Sequence, residues 1–457
     1  MTGGLGSPLV VDLSGIVKAY DIRGVVGDGI DVPVVRAIGA ALARLLRDEG
    51  ALGGVAVGYD MRPSSPELAA AFAEGVTGQG LDVVDIGLAS TDQLYFASGH
   101  LGLAGAMFTA SHNPARYNGI KLCRAGATPI GQDTGLAAIR ASAEAGVPDG
   151  PGGGTVTRRD VLADYAAHLH GLVDLTGTRP LRVVVDAGNG MAGHTVPAVL
   201  GAPLDVVPLY FELDGTFPNH EANPLEPANL VDLQKAVVAE GADLGLAFDG
   251  DADRCFVVDE RGEAVSPSAV TGLVAVRALA ADPGATIIHN CITSHAVPEL
   301  VVEHGGVPVR TRVGHSFIKQ TMAETGAVFG GEHSAHYYFR DFWKADSGML
   351  AALHVLAALG EGDAPLSALM AGYERYSASG EVNSTVADVP GRVAAVRAAY
   401  PDAGVDELDG LTLSLPGGAW FNLRPSNTEP LLRLNVEAAD RAAMVALRDE
   451  VLAIVRA

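Results

Sequence analysis

The stretch GAMFTASHNPARYNGIKL, residues 105–122, sets Ser111 beside His112 on a polar segment after an apolar run, with Lys121 following the Asn118-Gly119 turn. A loop serine so placed can accept and return a phosphoryl group if a metal and cations screen the charge. The rival role is a helix N-cap, since a serine before HNP could receive a backbone N–H. Against it, ARYNGIKL is turn-like and runs into a strand pattern. The second stretch is LGLAFDGDADRCFVVDE, where Asp249, Asp251 and Asp253 alternate between two β-like runs and Arg254 follows. Carboxylates this close repel unless a hard cation binds between them, and all-oxygen ligands suit Mg²⁺ or Ca²⁺. An EF-hand loop nearly fits, with Glu260 at its twelfth position, but Arg254 stands where glycine is needed and FVV continues as a strand.

Four further clusters carry donors or acceptors. KAYDIRG holds Tyr20, Asp21 and Arg23; alone, it reads as a surface ion pair. FNLRPSNTEPLLRLNVEA crowds Arg424, Ser426, Asn427 and Thr428 into a loop between strands, the donor set that grips a phosphate dianion. TRVGHSFIK places Gly314 and His315 in a strand-to-helix turn. GGEHSAHYYF gathers Glu332, His333, Ser334 and His336; zinc needs a helix to align the histidines, whereas a loop with Glu and Ser oxygens suits sugar hydroxyls.

These loops need rigid supports, and three segments supply one plan: a β-branched run, a polar or Gly-rich turn, then an Ala/Leu-rich helix pattern. They are VAVGYDMRPSSPELAAAFAEG, VVVDAGNGMAGHTVPAVL and TIIHNCITSHAVPELVVEHGG, which predict three α/β units with mixed sheets. GEVNSTV, LTLSL, AWFNL and LLRLNVEA around helix patterns predict a C-terminal α+β domain. The Gly/Pro-rich segment 144–160 reads as a linker without regular structure, giving expected domains at 1–150, 151–260, 261–370 and 371–457. A chain of 457 residues is too long for one core and fits such a division. With 54 acidic against 31 basic residues, a net charge of −23 excludes nucleic acid and anionic membranes as expected partners. Cys123, Cys255 and Cys291 form no CxxC pair, no basic-then-apolar leader is visible, and the apolar GMLAALHVLAALGE is too short to span a bilayer; a cytoplasmic protein is expected.

KAYDIRG, TASHNP, NGIKL, VVVDAGNGMAG, DGDADR, TRVGHSFIK, GEHSAH and RPSNTEP, in this order, resemble the α-D-phosphohexomutase superfamily, in particular its phosphomannomutase/phosphoglucomutase group. The resemblance spans essentially the whole chain. It implies four domains around a central cleft and a mutase, an isomerase that shuttles phosphate through a phosphoserine, with Mg²⁺ and a hexose 1,6-bisphosphate as activator and intermediate. By that resemblance Ser111 carries the phosphoryl group and completes the metal shell of Asp249, Asp251 and Asp253. Lys121 and Arg23 match the acid/base neighbourhood and His112 shapes it. Glu332 and Ser334 match the sugar-hydroxyl ligands, and Arg424, Ser426, Asn427 and Thr428 the grip on the non-reacting phosphate. Tyr20, Arg254, Gly314, His315 and His336 line the cleft, in a monomer or dimer. Two departures fall in the sugar-facing unit: Ala335 stands where GExSGH is expected, and Ile292 where many relatives carry lysine. The expected activity is phosphomannomutase with some phosphoglucomutase; phosphoglucosamine mutase and a non-catalytic sugar-phosphate or Ca²⁺ sensor are the alternatives.

Overall fold

The computed structural model describes residues 12–425 and 431–457. Two compact units divide the chain: one runs up to Ala264 and takes in His336–Leu366, the other comprises Val265–Ala335 and Ser367–Ala457.

In the first unit, an eight-stranded mixed sheet forms around Val55–Tyr59, which pairs in parallel with Val83–Leu88 on one side and Ala104–Phe108 on the other. Ala104–Phe108 then runs antiparallel to Tyr117–Arg124, so the connection between them, residues 109–116, is a short reversal at the sheet's end. The helix Val32–Asp48 starts where Asp31 accepts from the Val34 N–H at 2.9 Å, with Pro33 in the first turn where its missing N–H costs nothing. Its face of Val34, Val35, Ile38, Leu42 and Leu46 follows the 3.6 period and is buried. Each such side chain is worth about 1.5–3 kcal/mol of burial. It packs against the helix Ser65–Gly78 at van der Waals limits: a Cβ on Gly39 would lie 2.3 Å from the Phe72 carbonyl oxygen, and one on Gly75 2.1 Å from that of Arg36.

A second sheet in this unit carries Leu181–Asp186 between parallel neighbours Leu204–Leu209 and Leu244–Phe248. Leu244–Phe248 is followed by the antiparallel Cys255–Asp259, with Phe248 opposite Cys255, so residues 249–254 are the hairpin's turn. The second unit holds the parallel strands Val307–Thr311, Thr286–Asn290 and Phe329–Gly331, covered by the helices Pro267–Ala281, Ala296–Glu303 and His315–Thr325. It also holds an all-antiparallel sheet, Ser377–Thr385, Leu431–Ala438, Trp420–Pro425, Leu411–Ser414 and Gly404–Asp406, with the helices Val389–Ala399 and Arg441–Val455. The expected three α/β units and α+β ending are thus present.

The sequence-based linker needs correction. Within 144–160, Val156–Arg158 is a strand paired in parallel with Val83–Asp85. Asp82 recruits it by accepting from both the Thr155 N–H, at 2.7 Å, and its hydroxyl, at 2.8 Å. Glycine density is a poor guide where a neighbouring edge strand supplies the missing hydrogen bonds. The apolar helix Gly348–Gly360 is almost wholly buried, and no helix among the described residues is long and apolar enough to cross a membrane.

One buried carboxyl ties three elements of the first unit together. Asp92 accepts from Ser90 Oγ at 2.5 Å, Tyr165 Oη at 2.7 Å and Ser347 Oγ at 2.7 Å, Ser347 being the N-cap of the apolar helix. Burial pushes its pKa up to about 6, against the pull of those hydroxyls. A carboxyl raised by folding stabilises the native state most below its unfolded pKa, about 3.9 for a free Asp, and that contribution is lost as pH rises through about 6. Denaturation midpoints measured between pH 4 and 6.5 should therefore show a falling contribution that Asp92→Asn flattens. Tyr165→Phe, which removes one donor to this group, should cost about 1.5–3 kcal/mol in the same experiment.

Candidate active site

The reversal after Ala104–Phe108 places Ser111 in the left-handed region, at φ 49°. For a residue with a Cβ this costs about 1–2 kcal/mol, so other contacts must hold it. Thr109 Oγ1 accepts the Ser111 N–H at 2.9 Å, and Ser111 Oγ donates to Asp249 Oδ2 at 2.7 Å. Neither Ser111 nor His112 begins a helix, which removes the N-cap role. The two loops meet without clearance: a Cβ on Gly250 would lie 2.4 Å from the Ser111 carbonyl oxygen.

Asp249, Asp251 and Asp253 are buried, with one ligand oxygen from each lying within 4.8 Å of the others. Two cations face them. Arg254 Nε donates to Asp249 Oδ2 at 2.8 Å, and Lys121 Nζ to Asp251 Oδ2 at 2.6 Å and Asp253 Oδ2 at 2.5 Å. Thr91, at the start of the helix Thr91–Leu101, adds Oγ1 to Asp251 Oδ2 at 2.6 Å. Burial drives the Asp249 pKa up, and the repulsion of Asp251 and Asp253 adds to it against the pull of Arg254. For Asp251 burial acts the same way but is outweighed by Lys121 and Thr91, so its pKa lies below the usual carboxylate range. Burial alone would lower the Lys121 pKa, yet Asp251 and Asp253 hold it well above an ordinary lysine.

His112 is neutral: burial, then Arg254 and Arg23, depress its pKa well below that of a free imidazole. Its Nδ1 lies 2.7 Å from Arg254 Nη2 and therefore accepts, leaving the proton on Nε2. Arg23, on the strand Ile22–Val26, pairs with Asp21 at 2.6 Å and also donates to Asn113 Oδ1 at 2.6 Å. The ion pair expected of KAYDIRG thus exists and also reaches the serine loop. Tyr20 is half-buried just before that strand. His336 Nε2 lies 3.8 Å from Asp253 Oδ1, and His336, Asp253 and Asp346 form another metal-compatible group.

A divalent cation fits the aspartate hairpin. Asp251 Oδ1 and Asp253 Oδ1 are buried and accept no hydrogen bond, leaving lone pairs for a ligand. The EF-hand alternative is closed, because Arg254 turns back onto Asp249 and the chain proceeds into Cys255–Asp259.

In the second unit, Glu332 Oε1 accepts from Gly314 N at 3.1 Å and Asn290 Nδ2 at 3.0 Å, linking three loops. Gly314 has φ 132° and precedes the helix His315–Thr325, which carries buried Lys319. Residues 332–336, with partly exposed Ser334, form turns and no helix, so the helical zinc spacing of His333 and His336 does not arise; His333 Nδ1 lies 3.1 Å from Ser268 Oγ. Ala335 occupies φ 65°, the conformation that glycine takes without strain, and its methyl is buried. Ile292 is buried and lines a small cavity with Ser268, Ser294, His333 and Trp420, so no ammonium stands there. Arg424 belongs to the strand Trp420–Pro425, not to the loop expected from the sequence, because the ladder with Leu431–Ala438 extends to Pro425. Its guanidinium faces Glu381 at 3.4 Å and Asp409 at 3.6 Å. Ser426, Asn427 and Thr428 lie outside the described residues.

Sequence reasoning passed over Arg62 and Asp60, a fully buried ion pair in GYDMRPSS, and Thr91. An Asp-x-Arg with two following serines at a strand end was the available signal for the pair. Nothing marked Thr91.

All four domains of the phosphoglucomutase/phosphomannomutase family find a match: alpha/beta/alpha domain I over residues 14–147, domain II over 163–262, domain III over 267–376 and the C-terminal domain over 381–454. A phosphomannomutase of Escherichia coli is 42% identical over 455 residues, covering 96% of this chain and 98% of the relative. A phosphohexose mutase of Xanthomonas campestris is 43% identical over 441 residues, covering 95% and 97%. The crystal structure of a phosphoglucomutase/phosphomannomutase family protein from Burkholderia thailandensis superposes with a TM-score of 0.85 at 35% identity, covering 96% of this chain and 97% of that one.

The contact between Gly250 and Ser111 gives a direct test. Gly250→Ala forces the serine loop away from the aspartates, and a displacement near 1 Å costs on the order of 100-fold in rate. Turnover of a hexose phosphate should fall by about that factor, while circular dichroism shows the folded spectrum.

Proposed function

This chain belongs to the phosphoglucomutase/phosphomannomutase family, and we propose that it is a phosphomannomutase, with phosphoglucomutase activity as well, that moves phosphate between the 1- and 6-positions of a hexose through Ser111. The observation that carries this reading is the hydrogen bond from Ser111 Oγ to Asp249 at the head of the aspartate triad. It sets the hydroxyl against three buried carboxylates, a sensible place for a nucleophile only if that charge serves a bound cation. Asp249, Asp251 and Asp253 would hold that cation, Mg²⁺ by the all-oxygen ligand set, which when bound draws charge from the phosphoryl oxygens.

The remaining steps fall to side chains. In the phosphorylated protein Ser111 carries the phosphoryl group; Arg254 and Lys121 spread positive charge around it, and Arg23 adds a third cation. The free hydroxyl of a hexose phosphate attacks the phosphorus as the bond to Ser111 Oγ breaks, giving a hexose 1,6-bisphosphate and, once Oγ is protonated, a free Ser111; the sugar then turns end for end and returns its other phosphate to Ser111 by the reverse step. Lys121 and Arg23 stand in the neighbourhood where the sugar hydroxyl loses its proton, and neutral His112 shapes the site. Glu332 and Ser334 are assigned to the sugar hydroxyls, with Tyr20, Arg254, Gly314, His315 and His336 lining the substrate's place. Arg424 with Ser426, Asn427 and Thr428 is assigned to the phosphate that does not react, where donors must accept either end of the sugar. The three cysteines are buried without a disulfide among them, which supports the reducing cytoplasm as the compartment.

The decisive assay supplies Mg²⁺, mannose 1-phosphate and a trace of glucose 1,6-bisphosphate and measures mannose 6-phosphate. Turnover is expected, and its absence with mannose, glucose and glucosamine phosphates alike would reject the reading. Ser111→Ala should lower turnover by at least about 1,000-fold while circular dichroism shows the fold intact, since a loop hydroxyl contributes little to packing. Chelation with EDTA should abolish activity and added Mg²⁺ restore it. Arg424→Ala should raise KM by about 10-fold or more, the loss of one charge-assisted clamp.

A further inference from the structure

We propose that Arg62 is a positioning residue for phosphoryl transfer: its guanidinium holds the serine loop in the strained conformation that keeps Ser111 Oγ on the metal-binding aspartates. Arg62 lies on the chain that leaves the strand Val55–Tyr59, next to the loop and not part of it. All five of its side-chain N–H groups are used. Nη2 donates to the carbonyl oxygens of Ser111, at 2.8 Å, and Asn113, at 2.7 Å. Nη1 donates to those of Pro114 and Tyr117, each at 3.0 Å, and Nε to Asp60 Oδ2 at 3.1 Å. A single planar cation thus gathers four carbonyls from Ser111 to Tyr117, spanning the reversal and reaching the first residue of the strand Tyr117–Arg124.

The anchor is itself fixed. Asp60 Oδ1 accepts from the Arg62 N–H at 3.0 Å and from Ser65 Oγ at 2.6 Å, at the start of the helix Ser65–Gly78. Both members of the ion pair are buried. On its outer side the guanidinium lies under the ring of Phe217, 5.2 Å from the centroid, and a Cβ on Gly215 would be 2.6 Å from Arg62 Cα. Phe217 and Gly215 follow the second sheet's strand Leu204–Leu209, the same sheet that carries the aspartates. Arg62 therefore joins the backbone of the serine loop to the sheet bearing the triad, and Ser111 at φ 49° is the residue under tension between them.

A lysine in this place has three N–H groups without the planar fork, so at least two of the carbonyl or carboxylate contacts are lost while charge and approximate volume remain. The inference rests on Ser111 as phosphoryl carrier, and the experiment separates the two. Wild type, Arg62→Lys and Phe217→Leu are incubated with Mg²⁺ and glucose 1,6-bisphosphate, and intact mass reads the phosphoryl group on Ser111. Steady-state kinetics with mannose 1-phosphate give kcat and KM, and circular dichroism reports folding. For Arg62→Lys, kcat is expected to fall by about 30- to 100-fold with KM within about 3-fold of wild type, and phosphoryl occupancy of Ser111 to drop. Phe217→Leu, which leaves every hydrogen bond of Arg62 in place and removes only the ring, is expected to lower kcat by about 3- to 10-fold, again at constant KM. Wild-type kcat in folded Arg62→Lys overturns the positioning role, as does a loss carried wholly by KM. Should Arg62→Lys fail to fold, wild-type kcat in Phe217→Leu overturns it. A wild-type protein that takes up no phosphoryl group on Ser111 overturns the carrier reading, and the positioning role with it.

Discussion

Three buried carboxylates on one hairpin, Asp249, Asp251 and Asp253, set the terms for everything around them. Their mutual repulsion in a place that water does not reach would unfold the turn if nothing answered it. The answer is distributed: Lys121 comes from the first sheet, Arg254 from the hairpin itself, Thr91 from a helix start, and two carboxylate oxygens keep free lone pairs for a cation. The candidate catalytic residues and the structural counter-ions are thus largely the same groups. This is why so acidic a chain keeps several of its few cations here.

The serine loop meets this charge at the closest distance its backbone allows. Gly250 has no side chain because the Ser111 carbonyl occupies the space, and Ser111 accepts an unfavourable φ because Thr109, Asp249 and Arg62 hold it from three sides. A hydroxyl held this way does not have to be ordered before it can react, which is the entropic advantage of a preorganised site. The departure at position 335 has a related cost. Ala335 takes a left-handed conformation that a glycine would take freely, and its buried methyl returns part of the strain as packing. Family membership is therefore compatible with the alanine.

What could be read from the sequence by itself were the short-range patterns. Alternation of β-branched runs with Ala/Leu-rich helices disclosed the α/β units, because side-chain periodicity is a local property. The spacing of Asp249, Asp251 and Asp253 between two apolar runs disclosed the hairpin turn, and TASHNP between strand-like segments disclosed a reversal but not the burial of Ser111 within it. Tertiary structure alone decided the rest. Ser111 and Asp249 are 138 positions apart and Arg62 is 49 from Ser111, and no local rule connects them. The strand Val156–Arg158 formed within a glycine-rich segment because a distant edge offered it partners, and Arg424 joined a ladder instead of a loop for the same reason. Local sequence dictates which element a segment can be; which buried polar groups end up facing one another depends on how sheets stack, and only there do the charges that make the chemistry come within hydrogen-bonding distance.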